Sequence, residues 1–277
     1  SKEPPPGPSP RLDYLDNLKT ALTALVVAFH CTAAFAGTGW YYGAGGHPST
    51  FGVFGTGCLV LTQSFFMGLF FFVSGYFTPG SCERKGRRAF MLDRLARLGL
   101  PFLAWFLVLE PLLQLLVARA AGRPAAYLPG AGPCWFLFWL VLFSAGYALV
   151  DWSQAAADSP VPSFMALQAA GVVCGALNFA MMWCVAPKDF TSGTFVFMPV
   201  YFGALPFDAL LFWCGAAARR SAWLAPATFS RLRESGLARR LRAVVVLKAV
   251  GLFAFLGALH ASGAPGFLQP ADSGGHA

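Results

Sequence analysis

Apolar residues fall in blocks of roughly 17–22, the length an α-helix needs to cross a ~30 Å hydrocarbon layer. Seven such blocks can be marked, at about 17–36, 58–78, 99–118, 134–150, 164–184, 196–217 and 243–260. Polar and turn-forming residues separate them. A Gly-rich connection with Trp40-Tyr41-Tyr42 follows the first block, and Gly and Pro punctuate the approach to Pro133. Basic stretches follow the second block (83–97) and the sixth (219–242). This pattern predicts an all-α polytopic membrane bundle with about seven transmembrane helices over residues 13–260. A Pro-rich disordered tail over 1–12 precedes it, and a flexible Gly/Pro/Ser-rich tail over 261–277 follows. Ala34-Phe35-Ala36 also fits a signal-peptidase site, but an imidazole at His30 is foreign to a signal core.

Composition narrows the class further. Hydrophobic residues make up 57% of the chain and charged ones 12%, against about 25% charged in a soluble domain. The net charge of +8 is therefore read through topology, and no nucleic-acid partner is expected. With the N-terminus and both basic stretches on one side, 17 of the 20 Lys and Arg residues lie there, leaving Arg119, Arg123 and Lys188 opposite. The positive-inside rule then predicts a cytoplasmic N-terminus and, with seven spans, a C-terminus on the other side. The seven Cys residues show no C-x-x-C spacing, so neither a metal site nor a disulfide framework is expected.

Ionisable groups at membrane depth are costly, which makes His30, Glu110 and Asp208 functional candidates by default. Each has a plainer reading. An intramembrane His can simply bond a neighbouring helix, and Glu110 beside Pro111 can serve the backbone carbonyl that a proline frees. Lys19 and His30 are eleven residues apart, so on a helix they share a face to within about 20°, some 16 Å apart along the axis. Arg84–Arg88 and Arg219–Arg242 read as ordinary products of the positive-inside rule. Arg94 and Arg97 differ, because they sit three apart at the mouth of the third block and could fork around phosphates. Three cations at a cytoplasmic mouth, with an imidazole deeper on the first span, suggest a polyphosphate ligand reaching into the membrane.

Several segments in order carry a resemblance. Asp16-Asn17-Leu18-Lys19 with His30, Phe70-Phe71-Phe72-Val73-Ser74-Gly75-Tyr76 and Arg94-Leu95-Ala96-Arg97-Leu98-Gly99-Leu100-Pro101 resemble the membrane acyltransferase-3 family. Pro133-Cys134-Trp135-Phe136-Leu137 and the run from Leu205-Pro206 to Gly215 and Ala222-Trp223-Leu224 continue it. The resemblance implies an acyltransferase of groups other than aminoacyl groups, moving an acyl group, commonly acetyl, from acyl-CoA (acetyl-CoA) to a hydroxyl. Its partners would be acyl-CoA, a hydroxylated acceptor such as a carbohydrate, and the lipid bilayer. By the same resemblance Arg94 and Arg97 hold the coenzyme A phosphates, with Lys19 assisting and Ser74 in the donor site. His30 becomes the general base and Glu110 joins it in the catalytic set. Three departures stand out: Lys at position 19 where the family often has Arg, no acid among Phe138, Trp139 and Leu140, and seven spans where ten are usual. The last is expected to mean a missing C-terminal part or a shortened branch. The rival readings are a transporter or proton/solute channel lined by His30, Glu110 and Asp208, and an inactive truncated homologue.

Overall fold

The computed structural model describes residues 13–35, 49–124, 126–127, 129–150, 159–185, 192–195, 198–201 and 204–262. The 1–12 tail and residues 263–277 of the C-terminal tail lie outside the described residues. The chain divides into two compact units, Ser1–Phe66 with Ala264–Ala277, and Met67–Gly263. Among the described residues, six helices are long and apolar enough to cross a membrane: Tyr14–Phe35, Phe54–Lys85, Arg87–Ala120, Gly132–Leu149, Phe164–Met181 and Leu237–Ala261. The architecture is the expected all-α polytopic bundle.

In the first unit α1 (Asp13–Phe35) packs beside α2 (Ser49–Gln63). Helix α1 is unbroken, and its Thr20, Thr23 and Thr32 hydroxyls donate back to carbonyls four residues earlier. After α2 the chain turns at Ser64 and Phe65, whose amides bond Val60 and Thr62 carbonyls.

The second unit is organised by α3 (Phe66–Lys85), α7 (Trp135–Leu149) and α9 (Leu205–Arg220). Helices α3 and α9 meet backbone to backbone. A Cβ on Gly75 would stand 2.8 Å from the Phe212 carbonyl carbon, and one on Gly215 would stand 2.9 Å from the Tyr76 amide nitrogen. Only glycine fits both places, which is how helices associate where lipid supplies no hydrophobic drive. Gly68 faces Phe207 and Leu211, while Gly80 faces the Arg219 side chain. The two helices therefore run in the same direction. Helix α7 joins them through rings: Phe71 meets Trp135 at 6.3 Å and Phe143 at 5.5 Å, and Tyr147 stacks on Trp213 at 6.1 Å. It too advances in that direction. The Trp223 indole donates to the Ser159 carbonyl at 2.7 Å, and the Ser159 amide donates to Ser221 Oγ at 3.2 Å. The connection after α7 and the one after α9 thus lie on one side, as alternate spans require.

Three expectations change. The stretch 83–97 is not a loop. Lys85 ends α3, Gly86 (φ 74°) makes the turn alone, and one long helix runs from Arg87 to Ala120. Its segments α4 (Arg87–Arg94), α5 (Leu100–Ala104) and α6 (Glu110–Ala120) are joined by π turns at Leu95–Gly99 and Trp105–Leu109. Pro101 and Pro111 lie just beyond these turns; each lacks an N–H and crowds the carbonyl four residues back, which widens the helix. Likewise 219–242 holds two helical segments, α10 (Pro226–Glu234) and the start of α11 (Leu237–Ala261).

The sixth block is split. Within its first part Met198–Tyr201 is a strand, β2, paired antiparallel with β1 (Ser192–Phe195) just before the block, with Ser192 opposite Tyr201 and Phe195 opposite Met198. Only Leu205–Arg220 is helical, 16 residues or about 24 Å. Helices α8 (Phe164–Val185) and α11 expose Val172, Val173, Phe179, Val245, Val246 and Phe255, an apolar surface that suits lipid.

Gly215→Ala forces a methyl group onto backbone that cannot rotate away, an overpacking cost of about 1–3 kcal/mol. A thermal melt in detergent is expected to fall by several degrees. Gly251→Ala, with nothing within 4 Å of its Cβ position, is expected to leave the melt unchanged.

Candidate active site

Lys19 and His30 lie on α1 as the spacing predicted, about three turns apart on a continuous helix. The Lys19 ammonium pairs with Asp16 Oδ1 at 3.1 Å, both side chains being 42% exposed. His30 is half-buried, and its ring meets Phe29 edge-on at 5.3 Å. These two residues belong to the first compact unit, and Ser74, Arg94, Arg97 and Glu110 belong to the second.

Within the second unit the structure brings Ser74 and Arg94 together through a residue not singled out from the sequence. Arg94 Nη2 donates to Thr78 Oγ1 at 3.2 Å, and Thr78 Oγ1 donates to the Ser74 carbonyl at 2.9 Å. Thr78 is fully buried. The Arg94 guanidinium also lies over the Phe90 ring, 5.1 Å from its centroid, a favourable cation–π contact. Its Nε is buried and meets no hydrogen-bond partner among the described residues.

Arg97 behaves differently. Its side chain is 75% exposed, and Nε pairs with Asp93 Oδ1 at 2.9 Å, while Asp93 Oδ2 takes Lys85 Nζ at 2.8 Å. Arg94 and Arg97 therefore do not fork from a common face. The π turn that begins at Leu95 rotates the second arginine away from the first, leaving one anchored inward and one turned outward.

Glu110 sits about 20 Å beyond Arg97 along the helix, too far to share a phosphate with it. It is 7% exposed. Trp105 Nε1 donates to Oε2 at 3.1 Å and Gln114 Nε2 donates to Oε1 at 2.8 Å. Gly132 (φ 45°) presses so close that a Cβ there would stand 2.7 Å from Oε2. The Leu107 carbonyl, four residues before Pro111, accepts the Tyr127 hydroxyl at 2.7 Å, so the carbonyl a proline frees is served by tyrosine, not by Glu110. The carboxylate holds the connection over 130–132 against the helix. Asp208, 1% exposed, lies in the first turn of α9, where the helix terminus favours an acidic group, and neither oxygen has a hydrogen-bond partner among the described residues. Among the described residues no group of His, Cys, Asp and Glu is placed to hold a metal ion.

The family model of the acyltransferase-3 acyltransferase domain matches residues 12–271, nearly the whole chain. The chain belongs to the acyltransferase-3 family. It is accordingly an acyltransferase and a multi-pass integral membrane protein. No curated protein and no solved structure matches it. The acyltransferase-3 match takes in α1 with Lys19 and His30 as well as the helices carrying Ser74, Arg94, Arg97 and Glu110. Two features of the arginine segment could have been found in the sequence. Asp93 stands four residues before Arg97, the spacing of a helical ion pair. Thr78 stands four after Ser74, the spacing at which a hydroxyl bonds back to its own helix.

Glu110→Ala strips the acceptor from the Trp105 indole and opens a small void. Leaving a buried donor unpaired costs about 1–3 kcal/mol. The expected outcome is a clearly lowered melting temperature in detergent, with Glu110→Gln, which keeps one acceptor oxygen, falling between that variant and the parent.

Proposed function

We propose that this acyltransferase moves an acyl group, commonly acetyl, from cytoplasmic acyl-CoA to a hydroxyl of a carbohydrate or other acceptor by direct transfer. His30 takes the proton from the acceptor hydroxyl as its oxygen attacks the thioester carbonyl carbon. The new C–O bond forms, the C–S bond breaks, and the coenzyme A thiolate recovers the proton from the imidazolium. Arg94 and Arg97, with Lys19 assisting, bind the donor phosphates, and no covalent acyl-enzyme is needed. The N-terminus is on the cytoplasmic side, by the distribution of Lys and Arg.

The observation that carries this reading is the continuity of α1. It keeps a cation near the entrance and an imidazole at depth on a single face, the separation a long thioester arm would have to span. The outward Arg97 supports it too, because an exposed guanidinium paired on one edge keeps hydrogen-bonding capacity for phosphate.

Full-length protein in nanodiscs, supplied with labelled acetyl-CoA, is expected to bind donor and to transfer or slowly hydrolyse its acetyl group. His30→Ala is expected to lose at least a hundredfold in turnover, the scale of general-base catalysis, with donor binding intact. Arg97→Ala is expected to raise KM for acetyl-CoA about tenfold, the effect of one charge-assisted contact, with little change in kcat. Absence of donor binding in the parent protein would overturn the proposal.

A further inference from the structure

Arg94 carries a positive charge into a half-buried place, where a guanidinium without fixed partners would be poorly tolerated. Two contacts fix it. The Phe90 ring lies under the guanidinium at 5.1 Å, and Thr78 Oγ1 accepts from Nη2 at 3.2 Å. The threonine hydroxyl is itself directed, because it donates to the Ser74 carbonyl at 2.9 Å and so presents a lone pair toward α4. Its orientation is locked further by complete burial and by Pro79, which follows it in α3. A guanidinium held along its Nη2 edge, with Nε enclosed, has Nη1 left as the nitrogen to offer a ligand.

We propose that Thr78 is a positioning residue for donor binding: through its bond to Arg94 it aims that guanidinium at a phosphate of the acyl-CoA donor. This rests on the donor role proposed above for Arg94. The two arginines then divide the work. Arg94 is a preset cation whose geometry is established before the ligand arrives, and Arg97 is an exposed one that closes on it. Preorganising the first removes an ordering cost that binding would otherwise have to meet.

The test is donor binding by full-length protein in nanodiscs, using labelled coenzyme A, together with KM and kcat for acetyl-CoA and a thermal melt. Thr78→Val keeps the shape but removes the hydroxyl, and is expected to weaken coenzyme A binding and raise KM about fivefold with kcat within twofold. Thr78→Ser is expected to restore both. In an Arg94→Ala background, Thr78→Val is expected to add nothing further, because the threonine acts only through that arginine. Should Thr78→Val not accumulate as folded protein, Thr78→Ala takes its place in the same comparison. Parent-like binding by the hydroxyl-free variant, failure of serine to rescue, or an additive loss in the Arg94→Ala background would each overturn the inference while leaving the donor reading intact. A parent protein that binds no coenzyme A would overturn both.

Discussion

Two helices in contact through their backbones hold the second unit together. At Gly75 and Gly215 there is no room for even one methyl group, so α3 and α9 are fixed in rotation and in depth relative to each other. In water such closeness would be one packing solution among many. In lipid, where apolar side chains gain nothing by leaving the solvent, close approach gives the dispersion contacts that make association favourable at all. Each glycine lowers helix propensity by about 1 kcal/mol relative to alanine, a cost offset only if the partner helix is present. The aromatic rings of α7 then pack into a site whose walls are already fixed.

Ser74 and Thr78 flank that crossing at Gly75. The hydroxyl that receives Arg94 is attached to the most constrained stretch of α3. The arginine itself comes from a helix whose π turns place adjacent basic residues in different surroundings. One sequence motif thereby yields an inward cation and an outward one.

Much of this was legible in the amino-acid sequence, and for a physical reason. A membrane span needs a long apolar run, so the helices announce themselves by length. Register is what hydropathy does not carry. Pro101 and Pro111 were plain to see, yet the π turns they accompany depend on how the widened helix is accommodated by its neighbours. The 83–97 stretch read as a loop because charge resembles solvent exposure, whereas the helix simply continues past the apolar layer. Met198–Tyr201, at the start of the sixth block, is a strand and not a helix, because apolar character without period suits either structure. His30 and Lys19 kept their predicted relation because nothing on α1 interrupts the helix. Arg94 did not keep its predicted pairing with Arg97, since its partner is a threonine on another helix, and long-range hydrogen bonds leave no local trace.

Three helices aligned in one direction also set their peptide dipoles side by side, an arrangement that is electrostatically unfavourable unless its ends are compensated. Helix α3 carries Arg84 and Lys85 in its last turn and α9 carries Arg219 and Arg220. Helix α7 has no cation in its own last turn, but Arg220 from α9 lies near enough to act on Tyr147. The basic residues at that end thus have an electrostatic task. They neutralise the accumulated negative ends of the parallel helices. At the opposite end Asp208 lies in the first turn of α9. Charge placement and helix direction are two expressions of one field, running along the axis of the unit.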